Sequence, residues 1–187
     1  EVVLKPEINW LSKIAQESFN NRQVISAQDV LQTVPGLWIG QHAGGGKAEQ
    51  LFLRGFDLDH GTDISINVDG VPVNMVSHAH GQGYADLHYV IPETVDIIDF
   101  EKGPYSFHSM NFATAGSVDF QSKTSFNQNQ VKFEIGSFNT HRVLSIWDLS
   151  SKESDGWFAF EFLERDGPFE SPQNFQRINA MGSWKKE

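Results

Sequence analysis

The runs LQTVPGLWIG (31–40), LFLRGFDLDHGTDISINVDGVP (51–72), DIIDFEKGP (96–104) and FATAG (112–116) decide the reading of this chain. Each pairs a short apolar stretch with a glycine, the residue placed where a backbone needs positive φ or a close approach. Twelve of the sixteen glycines and six of the seven histidines lie between residues 34 and 116, so the demanding loops and the imidazoles share one region. That grammar describes short strands joined by long, exacting loops. No nucleophile motif, phosphate loop or metal-finger spacing accompanies it. The region reads as a scaffold that fills and gates, and no enzyme activity is expected.

Around these runs, Ser26-Ala-Gln-Asp29 has the form of a capping box, although Asp is a shorter partner than Glu. Val30, Leu31 and Val34 give the helix a short apolar face, and Pro35-Gly36 ends it. Strands are expected at Leu51–Leu53, Ile64–Val68, Val95–Phe100 and Ser117–Phe120, with a tight turn at Asp69-Gly70. The longest connection is NMVSHAHGQGYADLHYVIP (74–92). Loops of that length inside a domain are functional or disordered, and the aromatic, His and Gly content argues against disorder.

The chain has 187 residues and a formal net charge of −10, which argues against a nucleic-acid partner. It has no cysteine, which excludes disulfides, zinc–thiolate sites and a Cys nucleophile. No apolar run is long enough for a membrane-spanning helix. A transmembrane barrel is not excluded, because its strands need only about ten alternating residues.

Beyond Lys123 and the polar connector SFNQNQ (125–130) the grammar changes. Val131, Phe133 and Ile135 alternate with Lys132, Glu134 and Gly136, and Phe158, Phe160 and Phe162 alternate with Ala159, Glu161 and Leu163. Arg142–Leu149 and Arg177–Lys185 supply two further segments, making an antiparallel meander of four strands. The Phe series suits a lipid-facing band, with Trp147 and Trp184 as interface aromatics. A soluble meander with an aromatic core has the same alternation, so both readings stand at this point.

Taken in order, Leu31-Gln-Thr-Val-Pro-Gly36, Leu53-Arg-Gly-Phe56, Asn67-Val-Asp-Gly-Val-Pro72, Ile98-Asp-Phe-Glu-Lys-Gly-Pro104 and Ala115-Gly116 resemble the plug domain of TonB-dependent outer-membrane receptors. The order and spacing over about ninety residues carry the match, which no single piece would. GSFNTHR and ERDGPFESPQNFQR are similar to the first barrel strands that follow a plug. Tyr105-Ser-Phe-His-Ser-Met110 departs from the Tyr-Gly pair that many plugs carry after Gly-Pro.

The resemblance implies an α+β plug domain followed by antiparallel β-strands of a transmembrane β-barrel. The expected organisation is an N-terminal periplasmic segment (1–22), a plug (23–124) and about four barrel strands (125–187). A barrel of about 22 strands closes around such a plug, so the sequence is expected to be part of a longer protein. The resemblance further implies residence in the outer membrane of a Gram-negative bacterium, in contact with lipid. A scarce cargo is imported: a metal complex of the siderophore kind, a metal ion, a cofactor or an oligosaccharide. The partners implied are the TonB–ExbB–ExbD complex and, in some members, a surface lipoprotein. Val2, Val3 and Leu4 form a β-prone run that fits a Ton box, the segment TonB takes up as an added strand. Arg54, Asp99 and Lys102 lie in motifs with which the family holds plug against barrel.

His60, His78, His80, Gln82 and Tyr84 are the candidate ligand contacts, with Asn74 and His88 nearby in sequence. His78 and His80 share a face if extended, and imidazoles suit zinc, copper or nickel, so a bound transition metal is one expectation, although no cofactor is required. The other is that the histidines hydrogen-bond loop backbone and hold its shape. Asp57, Asp59 and Asp63 hint at a calcium loop, but Val68 stands where the bidentate Glu belongs, leaving turn caps and contacts to ligand or barrel as their expected roles. Two alternative functions remain open on residues alone: a soluble carbohydrate-binding module, and a metalloenzyme combining the His cluster with Asp59 or Asp63.

Overall fold

The computed structural model describes residues 11–20, 22, 24–41, 45–58, 63–105, 111 and 113–186. Its elements in chain order are β1 (Leu11–Ala15), α1 (Glu17–Asn20), α2 (Ala27–Leu31), β2 (Leu37–Gly40), β3 (Gln50–Leu53), β4 (Phe56–Leu58), β5 (Ile64–Val68), β6 (Val71–Pro72), a 3-10 turn (Pro92–Thr94), β7 (Val95–Lys102), β8 (Gly116–Ser122), β9 (Gln130–Gly136), β10 (Thr140–Asp148), β11 (Ser154–Arg165) and β12 (Phe175–Lys186).

The described residues form three sheets: a mixed five-stranded sheet in the order β1-β7-β8-β5-β6, a three-stranded sheet β2-β3-β4, and a four-stranded sheet β12-β11-β10-β9. Among the described residues only β5 and β8 pair in parallel. Every expected strand is present. The capping box forms too, with Ser26 accepting from the Asp29 amide and Asp29 accepting from the Ser26 amide. Asp69 and Gly70 take φ of 51° and 76°, as the hairpin turn requires.

The sequence reading did not expect strands at β1, β2, β4 and β6. These have two to five residues each, too short for alternation to register, and they form because a longer neighbour supplies the ladder. β1 lies in the segment read as an N-terminal extension, and it pairs along its whole length with β7 from Leu11–Glu101 to Ala15–Ile97. The turn after Pro104 and the Val2–Leu4 run fall outside the described residues.

One hydrophobic core lies within the plug. Ala27, Val30 and Leu31 of α2 pack with Ile64, Ile66, Ile98, Val118 and Phe120 of the mixed sheet, all almost fully buried. A second joins the plug to the four-stranded wall: Ile91 and the connector residue Phe126 pack on Leu144, Ile146, Trp157 and Ala159. Trp157 Nε1 donates to the carbonyl of Lys123 at 2.6 Å, fixing the chain where its grammar changes.

The wall decides between the two solvents left open above. Its inward positions include Arg142, Glu161, Arg177 and Asn179, all buried. Its outward positions carry Val131, Phe133, Ile135, Trp147, Phe158, Phe160, Ile178 and Trp184, all exposed. On β11 alone, Glu161 is 0% exposed while its neighbour Phe160 is 37% exposed. A soluble meander buries its aromatic face, whereas a membrane barrel turns it to lipid. β11 and β12 have 12 residues each. At about 3.4 Å per residue and a tilt of roughly 40° they reach about 30 Å, enough to cross an apolar band of about 25 Å.

Candidate functional site

The loop 74–92 is held from beneath by Asn74. Its side chain accepts from the Ile66 amide at 2.7 Å and donates to the carbonyls of Ile64 (3.0 Å) and Gly83 (3.1 Å). Asn74 is buried, so its amide shapes the loop while other residues form the surface. The loop closes near its tip, where the Met75 amide donates to the Tyr84 carbonyl at 2.9 Å and the Gly83 amide donates to the Met75 carbonyl at 2.8 Å.

Tyr84 is the centre of the tip. His78 stacks on it with ring centroids 4.3 Å apart and an interplanar angle of 8°, and His80 meets it edge-on at 5.6 Å. The Tyr84 hydroxyl accepts from the Ala48 amide at 2.9 Å, tying the loop to the Gly45–Lys47 segment. Gly45 and Gly46 lie against the Phe175 ring, where an added Cβ would sit within about 3.3 Å of ring atoms. The result is a cup of about 660 Å³, lined by His78, His80, Tyr84, Lys47, Phe175, Gln173, Asn174 and Gln176. The structure therefore brings together three of the five candidate ligand residues. Gln82 is exposed on the same loop, and His60 lies outside the described residues.

The tautomer of His78 bears on metal binding. Its Nδ1 accepts from the His80 amide at 3.1 Å, so its Nε2 carries the proton in the neutral ring. Ligation at either nitrogen requires that bond to break. Among the described residues no three His, Cys, Asp or Glu side chains are grouped to hold a metal ion. His88 has a different environment: Nδ1 is 2.7 Å from Asp86 Oδ1, and its ring contacts Phe175 at 5.8 Å. Burial pushes the Asp86 carboxyl up, but hydrogen bonds from His88 and the charges of His88 and Arg177 outweigh it and hold the group low. Asp57 on β4 accepts from Gln50 on β3 at 2.6 Å, and Asp63 accepts from Thr114 at 2.5 Å and, by its carbonyl, from the Ala115 amide at 2.7 Å, so both bond to other segments, while Asp59 lies outside the described residues.

The plug meets the wall through a charged network that sequence reasoning missed. Arg142 Nη1 and Nη2 donate to the two oxygens of Glu93 at 2.7 Å each. The same guanidinium donates to Glu134 at 2.6 Å and to Glu161 at 2.7 Å. Glu161 also accepts from Arg177 and Asn179. Arg177 and Asn179 in turn donate to the carbonyls of Ile25 (2.8 Å) and His88 (2.7 Å) on the plug. The available signal was parity: Arg142, Glu161 and Arg177 occupy the positions opposite the aromatic band. Of the residues expected at the plug–barrel contact, Asp99 accepts from Lys13 and Gln121 within the mixed sheet. Lys102 lies over the Phe100 ring at 5.7 Å, and Arg54 is exposed at the β3–β4 turn with φ of 53°.

Residues 9–117 match the family model of the TonB-dependent Receptor Plug Domain. The chain belongs to the TonB-dependent receptor family. The vitamin B12 transporter BtuB of Vibrio vulnificus (strain YJ016) is 23% identical over 187 residues, which cover 95% of this chain and 29% of that protein. Among solved structures, the copper transporter OprC superposes with a TM-score of 0.63 at 20% identity, over 84% of this chain and 24% of its own. The siderophore receptor PirA from Acinetobacter baumannii does so with a TM-score of 0.58 at 17% identity, over 85% and 25%. At these identities the superpositions speak to the fold. The chain spans less than a third of the length of each of these three proteins.

Proposed function

We propose that this chain is the plug and first wall strands of an outer-membrane receptor of a Gram-negative bacterium, which imports a scarce cargo when TonB pulls on the plug. The observation that carries this reading is the inside-out wall, with Glu161 buried toward the plug and Phe160 turned outward from the next position. Vitamin B12, copper and siderophore receptors among its relatives support import as the activity. The receptor binds and moves its cargo without chemical conversion.

The cup around Tyr84 is the proposed landing site. Its ring faces and amides favour an organic surface, such as an oligosaccharide, a cofactor or the shell of a metal complex. The bonded Nδ1 of His78 weighs against a bare metal ion at that residue. Val2–Leu4 are proposed as the Ton box for the TonB–ExbB–ExbD complex. Arg54, Asp99 and Lys102 are proposed to face wall strands beyond the four described.

The test uses the full-length receptor in cells. It is expected in the outer-membrane fraction, and a cysteine placed at Val3 is expected to cross-link to the TonB C-terminal domain. Recovery in the soluble periplasmic fraction would overturn the receptor reading. Outer-membrane residence without the cross-link would overturn the Ton box alone.

A further inference from the structure

Lys47, on the lining of the Tyr84 cup, is half-buried, and among the described residues neither a carboxylate nor an aromatic ring is paired with it. The other described lysines and arginines that are half-buried or more are all matched. Arg142 and Arg177 meet carboxylates, while Lys102, Lys123 and Arg165 lie over aromatic rings. An ammonium partly withdrawn from water without a countercharge is costly. On a concave surface its field is also focused, so the position favours an anion.

The rest of the lining has the same sign. Among the described residues it holds no Asp or Glu, in a chain with a formal net charge of −10. The Tyr84 hydroxyl holds the Ala48 amide at 2.9 Å, which fixes the backbone next to Lys47 beside the His78–Tyr84 stack. His78 brings a second donor, because its Nδ1 accepts from the His80 amide and the neutral ring carries its proton on Nε2. The stacked His78–Tyr84 pair and Phe175 form apolar wall, which suits a carbon skeleton better than a bare inorganic ion. We propose that the cup takes an organic anion, with a carboxylate of the cargo held at Lys47. An ammonium–carboxylate bond is charge-assisted, so it supplies affinity that a neutral cargo of the same shape lacks. This inference rests on the cup being the landing site, and it adds the charge of what lands there.

The test is made on the full-length receptor, purified in detergent and kept at constant ionic strength so that general screening does not vary. Lysines are acetylated with an amine-reactive reagent, and labelling is read by peptide mass spectrometry. Lys152 and Lys186, both exposed, serve as references. The probes are tricarballylate, a flexible tricarboxylate, its uncharged trimethyl ester, and inorganic phosphate. Tricarballylate is expected to protect Lys47 saturably, at a concentration about tenfold or more below that of the ester, and to leave the references labelled. Equal protection by acid and ester, or protection by neither, would overturn the proposal. Protection of Lys47 and the references alike would show non-specific ion pairing and overturn it too. Protection by phosphate alone would make the cup a site for a free inorganic ion and overturn the organic cargo. The labelling needs neither an energised membrane nor cells, so its failure is read separately from recovery of the receptor in the soluble fraction, which overturns the import reading.

Discussion

Glu93 of the plug and Arg142 of the wall meet as a two-pronged fork, both guanidinium ends donating to both carboxylate oxygens at 2.7 Å. Arg142 is 1% exposed, and its remaining donors reach Glu134 and Glu161. The seat of the plug is thus a charged cluster in which Glu93 meets Arg142 across the joint, while Glu134 and Glu161 are held by Arg142, Lys132 and Arg177 from within the wall.

Arg142→Met is expected to destabilise the seat by about 3–5 kcal/mol, because it leaves buried carboxylates without their cation. Glu93→Gln, which keeps the shape and one acceptor, should cost less. Urea unfolding of the full-length receptor, read by protease cleavage within the plug, measures both. A loss below about 1 kcal/mol for Arg142→Met would place the seat in the apolar joint around Ile91 and Trp157 instead.

Acid should loosen the same joint. Burial alone would raise the Glu93 carboxyl, but the bonds and charge of Arg142 and the charge of Lys132 hold it below its ordinary 4.5. A depressed carboxylate contributes stability that is fully present above the ordinary value and is lost as pH falls through the folded one. Glu49 has the opposite sign: raised by burial, it favours folding at low pH and opposes it as pH rises through its folded value. Urea midpoints measured across the acid range should therefore show Glu93→Gln lowering stability at neutral pH and Glu49→Gln raising it. The same sign for both variants would contradict the assignment.

Phe160→Arg places a charge on the outward face of β11 and is expected to cost about 2–4 kcal/mol of barrel stability in lipid, while Phe160→Leu should change little. Folding of the full-length receptor into vesicles reads this. Tolerance of arginine would mean that this face is not in contact with lipid.

Gly116 takes φ of 156°, and a Cβ there would collide with the carbonyl oxygen of Glu101 on the neighbouring strand. Gly116→Ala should cost about 2 kcal/mol or more, because backbone has no side-chain freedom to yield. Hydrogen exchange in β7 and β8 should rise before that of the wall strands.

The main strands, the capped helix and the hairpin at Asp69-Gly70 were legible in the sequence because each is set by local pattern. The cup was legible in part. His78, His80 and Tyr84 stood out by composition, but Phe175 and Lys47 come from distant segments that only folding brings alongside. Arg142, Glu161 and Arg177 were legible only as the parity opposite an aromatic series. Glu93 carried no local signal, since its role depends on a partner 49 residues away.

By itself the sequence determined the family, the capped helix and the longer strands, since glycine placement, capping and alternation act over a few residues at a time. The tertiary structure alone decided which face of the wall meets which solvent, which charges seat the plug, and which half-buried cation is left without a partner. Those properties belong to pairs of surfaces, and a side chain's burial, charge environment and unmet hydrogen bonds exist only once distant segments have closed around it.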